Sequence, residues 1–347
     1  MWRSAVILLY VASVAASGDY FTSTLGVRHV RSHADGTREH ARFSHISDGA
    51  ITAVAGSGDV YVADAGMLRV VSYTSAVTTV SLTSQAAAVR LSSVVFLTYD
   101  TAFDRVFVSN VDQVSKTTAI YAFTPAEGAS SVVADLVYTL PCSVTGVDVD
   151  DSGDLFYTNS TNGVAHSASG GSSVALSPYH GAWKIVGDTV WQLGSTRLFR
   201  RAMNETEWTV EAEGLVGPVA LCAGKGADMF VVESAGGTVI AVEGNASNVI
   251  VGVQGTQGTT DGVVGLLDGP TGCAVDYDGN VYVADGGNTL VRRVTLLPPG
   301  TLLPMQRVVR HGPRNWSFFS GTDTETVAAS SAVSDRTVSA KIGRAHV

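Results

Sequence analysis

A five-residue pattern recurs six times along this 347-residue chain: an aliphatic residue, an aromatic, then three positions that close in most copies on Asp, Asn or Glu. The copies are Val60–Asp64, Val106–Asn110, Leu155–Asn159, Val190–Gly194, Met229–Glu233 and Val281–Asp285. Their aromatics are Tyr61, Phe107, Phe156, Trp191, Phe230 and Tyr282, spaced by 46, 49, 35, 39 and 52 residues. Aromatics make up only 8% of the chain, so this alignment is not a by-product of composition. A polar residue precedes every copy (Asp59, Arg105, Asp154, Thr189, Asp228, Asn280), and Gly58, Gly153 and Gly279 stand before three of these. Gly at that place is what a tight hairpin turn requires.

A repeat of this length built on short strands predicts an all-β, six-bladed β-propeller, with four-stranded antiparallel blades around a central channel. One four-stranded sheet cannot bury both faces alone, whereas sheets packed radially bury them on their neighbours. The aromatic then fills the wedge between blades, where a large side chain gains most. Abundant Gly (37 residues), few charged residues (15%) and no sustained 3.6-residue apolar period exclude an α-rich fold.

Two segments carry a fuller signature. Ile250-Val-Gly-Val-Gln-Gly-Thr-Gln-Gly-Thr-Thr-Asp261-Gly262, followed by Leu266, Leu267, Gly269 and Pro270, has a strand, a Gly-rich loop and an Asp-Gly pair. Asp35-Gly36, Ala41-Arg42-Phe43 and the strand Ile51–Val54 form a second copy. Over about residues 26–296 the chain resembles the NHL-repeat propeller family. The resemblance implies that a strand before the first Asp-Gly loop, Val27–Arg31, completes the last blade and closes the ring, removing free sheet edges.

Four segments are expected. Residues 1–17, with a cationic start, an apolar run and small residues, read as a secretory signal peptide, and 18–318 as the propeller. Residues 319–340, rich in Ser and Thr, read as a disordered linker or stalk. Residues 341–347 read as an in-frame translation of a sequencing adapter, which leaves room for an anchor or domain past a truncated C-terminus. No stretch is long and apolar enough to span a membrane. Sequons at Asn159, Asn204, Asn245 and Asn315 fit a eukaryotic secretory route and a secreted, extracellular or lumenal glycoprotein. Of Cys142, Cys222 and Cys273, buried free thiols are favoured over a Cys222–Cys273 bridge.

The residues point to little chemistry. Asp148–Asp154 has the oxygens of a calcium loop, but it repeats the turn Asp276–Asn280 and lacks the distal Glu, so a hairpin turn is favoured. The histidines before the adapter-like tail (His29, His33, His40, His45, His166, His180, His311) do not recur at equivalent strand positions and read as surface or loop residues. Glu233 and the Asp or Asn residues ending the other repeat strands read as strand caps. No catalytic, cofactor or metal residues are assigned. A net charge of −9 argues against nucleic acid. The expected function is an extracellular scaffold for a protein or glycan ligand, with no cofactor. The alternative is a lactonase-like or amidating-lyase-like propeller enzyme with calcium or zinc at the channel.

Overall fold

The computed structural model describes residues 8–12, 20–27, 31–92, 95–159, 164–170, 173–176, 181–224, 227–244, 246–298, 306–310, 316–320 and 339–342. The chain is all β and forms a propeller. Five blades are four-stranded and antiparallel. Their innermost strands are Val95–Asp100, Val144–Val149, Trp183–Val186, Pro218–Gly224 and Pro270–Val275. A larger sheet begins with Ile46–Ala53 and precedes these in the chain. The six inner strands contact one another in a closed cycle, and the sheets are called blades one to six in chain order.

Blade one departs from the expected four strands. Its nine-residue outer strand, Ala76–Ser84, carries three short strands: Gly36–Thr37, Ala87–Ala88 and, in parallel, Ser131–Val133, making a seven-stranded sheet. A long outer strand otherwise leaves a row of unpaired backbone groups, and these additions cover it. Closure also differs from the expected register. The fourth strand of blade six is Tyr20–Leu25, paired with Leu290–Leu296. Val27 instead donates its N–H to Ala41 and Ser32 to Phe43, so the segment after Leu25 crosses to blade one. The idea of closure by an N-terminal strand stands, but that strand lies earlier than Val27–Arg31.

The repeat aromatics are all buried, and each packs into a core between neighbouring blades. Phe107 shares a core with Val149 and Leu155, Phe156 with Ile185 and Val190, and Trp191 with Met229 and Val231. Phe230 lies with Cys273 and Val281, while Tyr61 and Tyr282 share the largest core. Tyr61 meets Phe123 edge-on at 5.3 Å. Each such side chain contributes about 1.5–3 kcal/mol by leaving water.

Burial above all pushes the phenols of Tyr61 and Tyr282 up to about 12. A raised folded-state value means the stability from keeping them neutral is complete below pH 10 and lost as pH climbs toward 12. The double variant Tyr61→Phe/Tyr282→Phe is therefore expected to show its alkaline unfolding midpoint at a higher pH than the parent. Phenolate absorbance rising for all tyrosines near pH 10 with native circular dichroism intact would contradict this.

Two buried arginines hold the Asp-Gly loops in the same way. Arg69 bonds Asp64 (3.0 Å), Asp35 (2.9 Å) and the carbonyls of Ala34 and Arg42. Arg292 bonds Asp285 (3.0 Å), Asp261 (2.9 Å) and the carbonyls of Thr260 and Leu266. Both guanidinium groups are fully excluded from solvent, which is tolerable only because nearly every N–H has an oxygen partner.

Leu8–Ala12, Gln306–Arg310, Trp316–Ser320 and Ser339–Ile342 pair in a further four-stranded sheet. The rest of the segments 1–17, 321–338 and 343–347, including most of the expected leader and linker, lies outside the described residues. No helix among the described residues is long and apolar enough to cross a membrane.

Candidate functional site

The inner strands of all six blades line one cavity of about 930 Å³ along the central channel. Small residues dominate much of the wall because six strands converge there: Ala53, Gly146, Ala182, Ala220, Ala223 and Gly272. Apolar side chains such as Ile51, Leu97, Val147 and Leu221 fill in between. This volume falls in the range of small-ligand sites.

One polar constellation crosses three blades. Asp148 of blade three is only 2% exposed. One of its oxygens accepts from Lys184 Nζ of blade four (2.6 Å) and Thr98 Oγ1 of blade two (3.1 Å). The other accepts the backbone N–H of Ile185 at 2.6 Å. The Ile185 N–H faces the channel, where no further strand can pair it, so the carboxylate replaces a ladder bond. Nearby, Trp183 Nε1 donates to Thr158 Oγ1 at 3.1 Å. Tyr99, also in the wall, has its phenol pushed up to about 12 by burial and by the bond it donates to Asp104.

Removing the Asp148 carboxylate strands both the Ile185 N–H and the Lys184 ammonium. Asp148→Ala is therefore expected to cost about 2–3 kcal/mol in chemical unfolding, while Asp151→Ala, exposed three residues on, stays within about 0.5 kcal/mol. Equal effects from the two substitutions would show that the tie across blades carries no stability.

Sequence reasoning did not find the Asp148–Lys184 pair, because 36 residues separate its members. A signal was present: Lys184 is a lone cation in a short apolar strand, Trp183–Val186. The acidic segment Asp148–Asp154 divides. Asp150 closes a hairpin turn, accepting from the N–H groups of Ser152 and Asp154, and Gly153 takes φ +83°. Asp276–Asn280 forms the same turn, with Gly279 at φ +86°.

Cys222 and Cys273 form a disulfide, with Cα atoms 5.7 Å apart, and Cys142 is free. This corrects the expectation of three free thiols. The inner strands of blades five and six run side by side, so residues at matching repeat positions face each other across the blade boundary. Both bridged cysteines line the channel.

The residues ending the repeat strands bond to backbone amides. Asp64 accepts from Ser44 and His45, Asn110 from Ser92, Glu233 from Val216, and Asp285 from Asp268. Asn159 is the exception in place, since it lines the channel. Of the histidines, His33 lies 3.7 Å from Asp64, His40 bonds Thr37, and His166 packs beside Tyr157. None of His33, His40, His45 and His166 lines the cavity, and His29, His180 and His311 lie outside the described residues. No group of three His, Cys, Asp or Glu side chains among the described residues is placed to hold a metal ion. Asn204 is exposed in a turn, and Asn245 and Asn315 lie outside the described residues.

No protein-family profile matches the chain, and no curated protein does. Solved structures do. An auxiliary nutrient binding protein from Bacteroides ovatus ATCC 8483 superposes with a TM-score of 0.60 at 16% identity, covering 80% of this chain and 77% of that one. A protein of unknown function from Bacteroides thetaiotaomicron VPI-5482 gives 0.60 at 11% identity, covering 84% and 90%. A glucose dehydrogenase gives 0.52 at 12% identity, covering 79% and 99%. At such identities the likeness establishes the propeller fold and nothing finer.

Proposed function

We propose that this chain is a secreted NHL-type propeller that serves as an interaction scaffold, receiving a protein or glycan ligand at its channel. The observation that carries this reading is the channel wall. A metal-dependent propeller enzyme needs at least three ligating side chains converging on the axis, whereas this wall mixes small residues such as Ala53, Gly146, Ala220 and Gly272 with apolar and polar side chains in near-equal share. Its carboxylates are mostly occupied: Asp148 by Lys184, Thr98 and Ile185, and Asp276 by Asn280. One of the structurally similar proteins is named as a nutrient binding protein, which accords with ligand binding by such a scaffold.

The test pairs binding with elemental analysis. Purified protein, screened against glycan and peptide arrays, is expected to give saturable binding that Ala223→Trp, which narrows the channel, abolishes. Stoichiometric zinc or calcium whose removal by chelation ends a hydrolase or lyase activity would favour the enzyme reading instead.

The secretory route has its own test. Expressed in a eukaryotic host, the protein is expected to carry glycan at exposed Asn204 and none at Asn159, which is half-buried in the channel wall. Peptide mapping before and after glycosidase treatment reads this, and a mass unchanged by the enzyme would contradict it.

A further inference from the structure

The channel opens among the turns that join the first and second strands of the blades. Ala55, Thr101, Asp150, Asp151 and Tyr277, all at or past the ends of inner strands, line the same cavity, so these turns surround one mouth. Behind the mouth, small and apolar residues such as Ala53, Leu97, Ala220 and Leu221 are mixed with polar ones; around it exposed charge takes over.

Exposed carboxylates crowd the turns at Asp104, Asp151, Asp154, Asp188 and Asp278, and Asp228 follows at the start of the next strand. Arg105, the described cation among these turns, is already engaged, with its Nε 2.7 Å from Asp100 and its Nη2 on the Gly153 carbonyl. Lys225 lies outside the described residues. Within the cavity the ionisable lining is Asp148, Asp150, Asp151 and Asp276 against Lys184, whose charge Asp148 balances. A recess with low-dielectric walls and carboxylates at its rim focuses negative potential outward. Two exposed aromatics stand in the same turns: Tyr277, 67% exposed, and Phe103, 63% exposed, whose ring already carries the Arg105 guanidinium 4.9 Å from its centroid. Exposed rings beside carboxylates are favourable surfaces for ammonium and guanidinium groups.

We infer that the mouth of the channel docks a basic segment of a protein partner, in which an apolar side chain enters the cavity while flanking Lys or Arg residues meet the rim. This rests on the proposed reading of the channel as the binding site and selects its partner. The small and apolar part of the wall matches the central side chain, and the Asp rim with the exposed Tyr277 matches the flanking cations. A sulfated or otherwise anionic glycan meets the same field as repulsion. A neutral glycan gains nothing from it.

The experiment uses the full chain and a fluorescent peptide of sequence Gly-Lys-Arg-Leu-Lys-Arg-Gly, read by anisotropy. Binding is expected to weaken about tenfold between 50 and 500 mM salt, because the rim charges are exposed and screened. The exposed triple variant Asp151→Asn/Asp188→Asn/Asp278→Asn is expected to lose at least about tenfold, with its melting temperature unchanged. Asp112→Asn, outside these turns, is expected to leave affinity as it was. A peptide with Leu replaced by Asp should bind weakly. The inference is overturned if the basic peptide does not bind, if the triple variant binds it as well as the parent, or if heparin binds more tightly than the peptide. Should a glycan bind in a manner that Ala223→Trp abolishes while the peptide does not, the channel remains the site and only the basic partner falls. Should no peptide or glycan of the arrays bind, both readings fall.

Discussion

Arg292→Met is expected to lower the unfolding free energy by about 3–5 kcal/mol, the range for removing one partner of a buried ion pair. The reason lies in what stays behind. Asp285 is fully buried, and it faces Arg292 at 3.0 Å; methionine leaves its carboxylate with only Asn288 and the Asp268 N–H. The Leu266 carbonyl loses its Arg292 donor in the same step, while Asp261 and the Thr260 carbonyl each lose one and keep Thr24 and the Leu266 N–H. Adding Asp285→Asn should recover part of the loss, since a neutral amide tolerates the site better than an unpaired charge. Denaturant unfolding of the two variants measures this. A single-variant loss under about 1 kcal/mol would mean that the Asp-Gly loop is held by other contacts. Arg69→Met should behave alike, because Arg69 stands in the same relation to Asp64 and Asp35.

The second large effect concerns the bridge between blades five and six. Cys222 and Cys273 are 51 residues apart, and closing a loop of that length removes denatured-chain entropy worth about 4 kcal/mol. Cys222→Ser/Cys273→Ser is therefore expected to melt well below the parent, by about 10 °C if 1 kcal/mol moves the transition 2–4 °C. Because both sulfurs lie in the channel wall, reduction should also loosen the cavity. Peptide mapping without reductant should find Cys222 linked to Cys273 and Cys142 alkylated. Three alkylated thiols, or identical melting with and without reductant, would remove this staple from the account.

The fold was legible in the sequence because a propeller blade is a local object. Each aromatic strand lies within one repeat, next to its own Gly turn. The packing need that selects Tyr61, Phe107 and Tyr282 is therefore written at every copy, and Gly153 and Gly279 take the positive φ their turns require. The strand caps were legible for the same reason, since Asp64 and Asp285 bond to amides about 20 residues away.

What failed was whatever joins different blades. The closing strand was placed at Val27–Arg31 instead of Tyr20–Leu25, because its partner, Leu290–Leu296, lies at the other end of the chain and imposes the register. The three additions to the outer strand of blade one come from separate stretches that no repeat pattern connects. The disulfide and the Asp148–Lys184 pair also join residues of different repeats, which the ring alone brings together.

The sequence by itself determined that sheets repeat, which side chains fill the gaps between them, and that exposed charge is predominantly acidic. Only the tertiary structure decided how the ring closes, which cysteines meet, and that acidic turns far apart in the chain surround one channel. The physical reason is range: turn geometry and core patterning act within a repeat, whereas a channel is made by convergence of strands from all six.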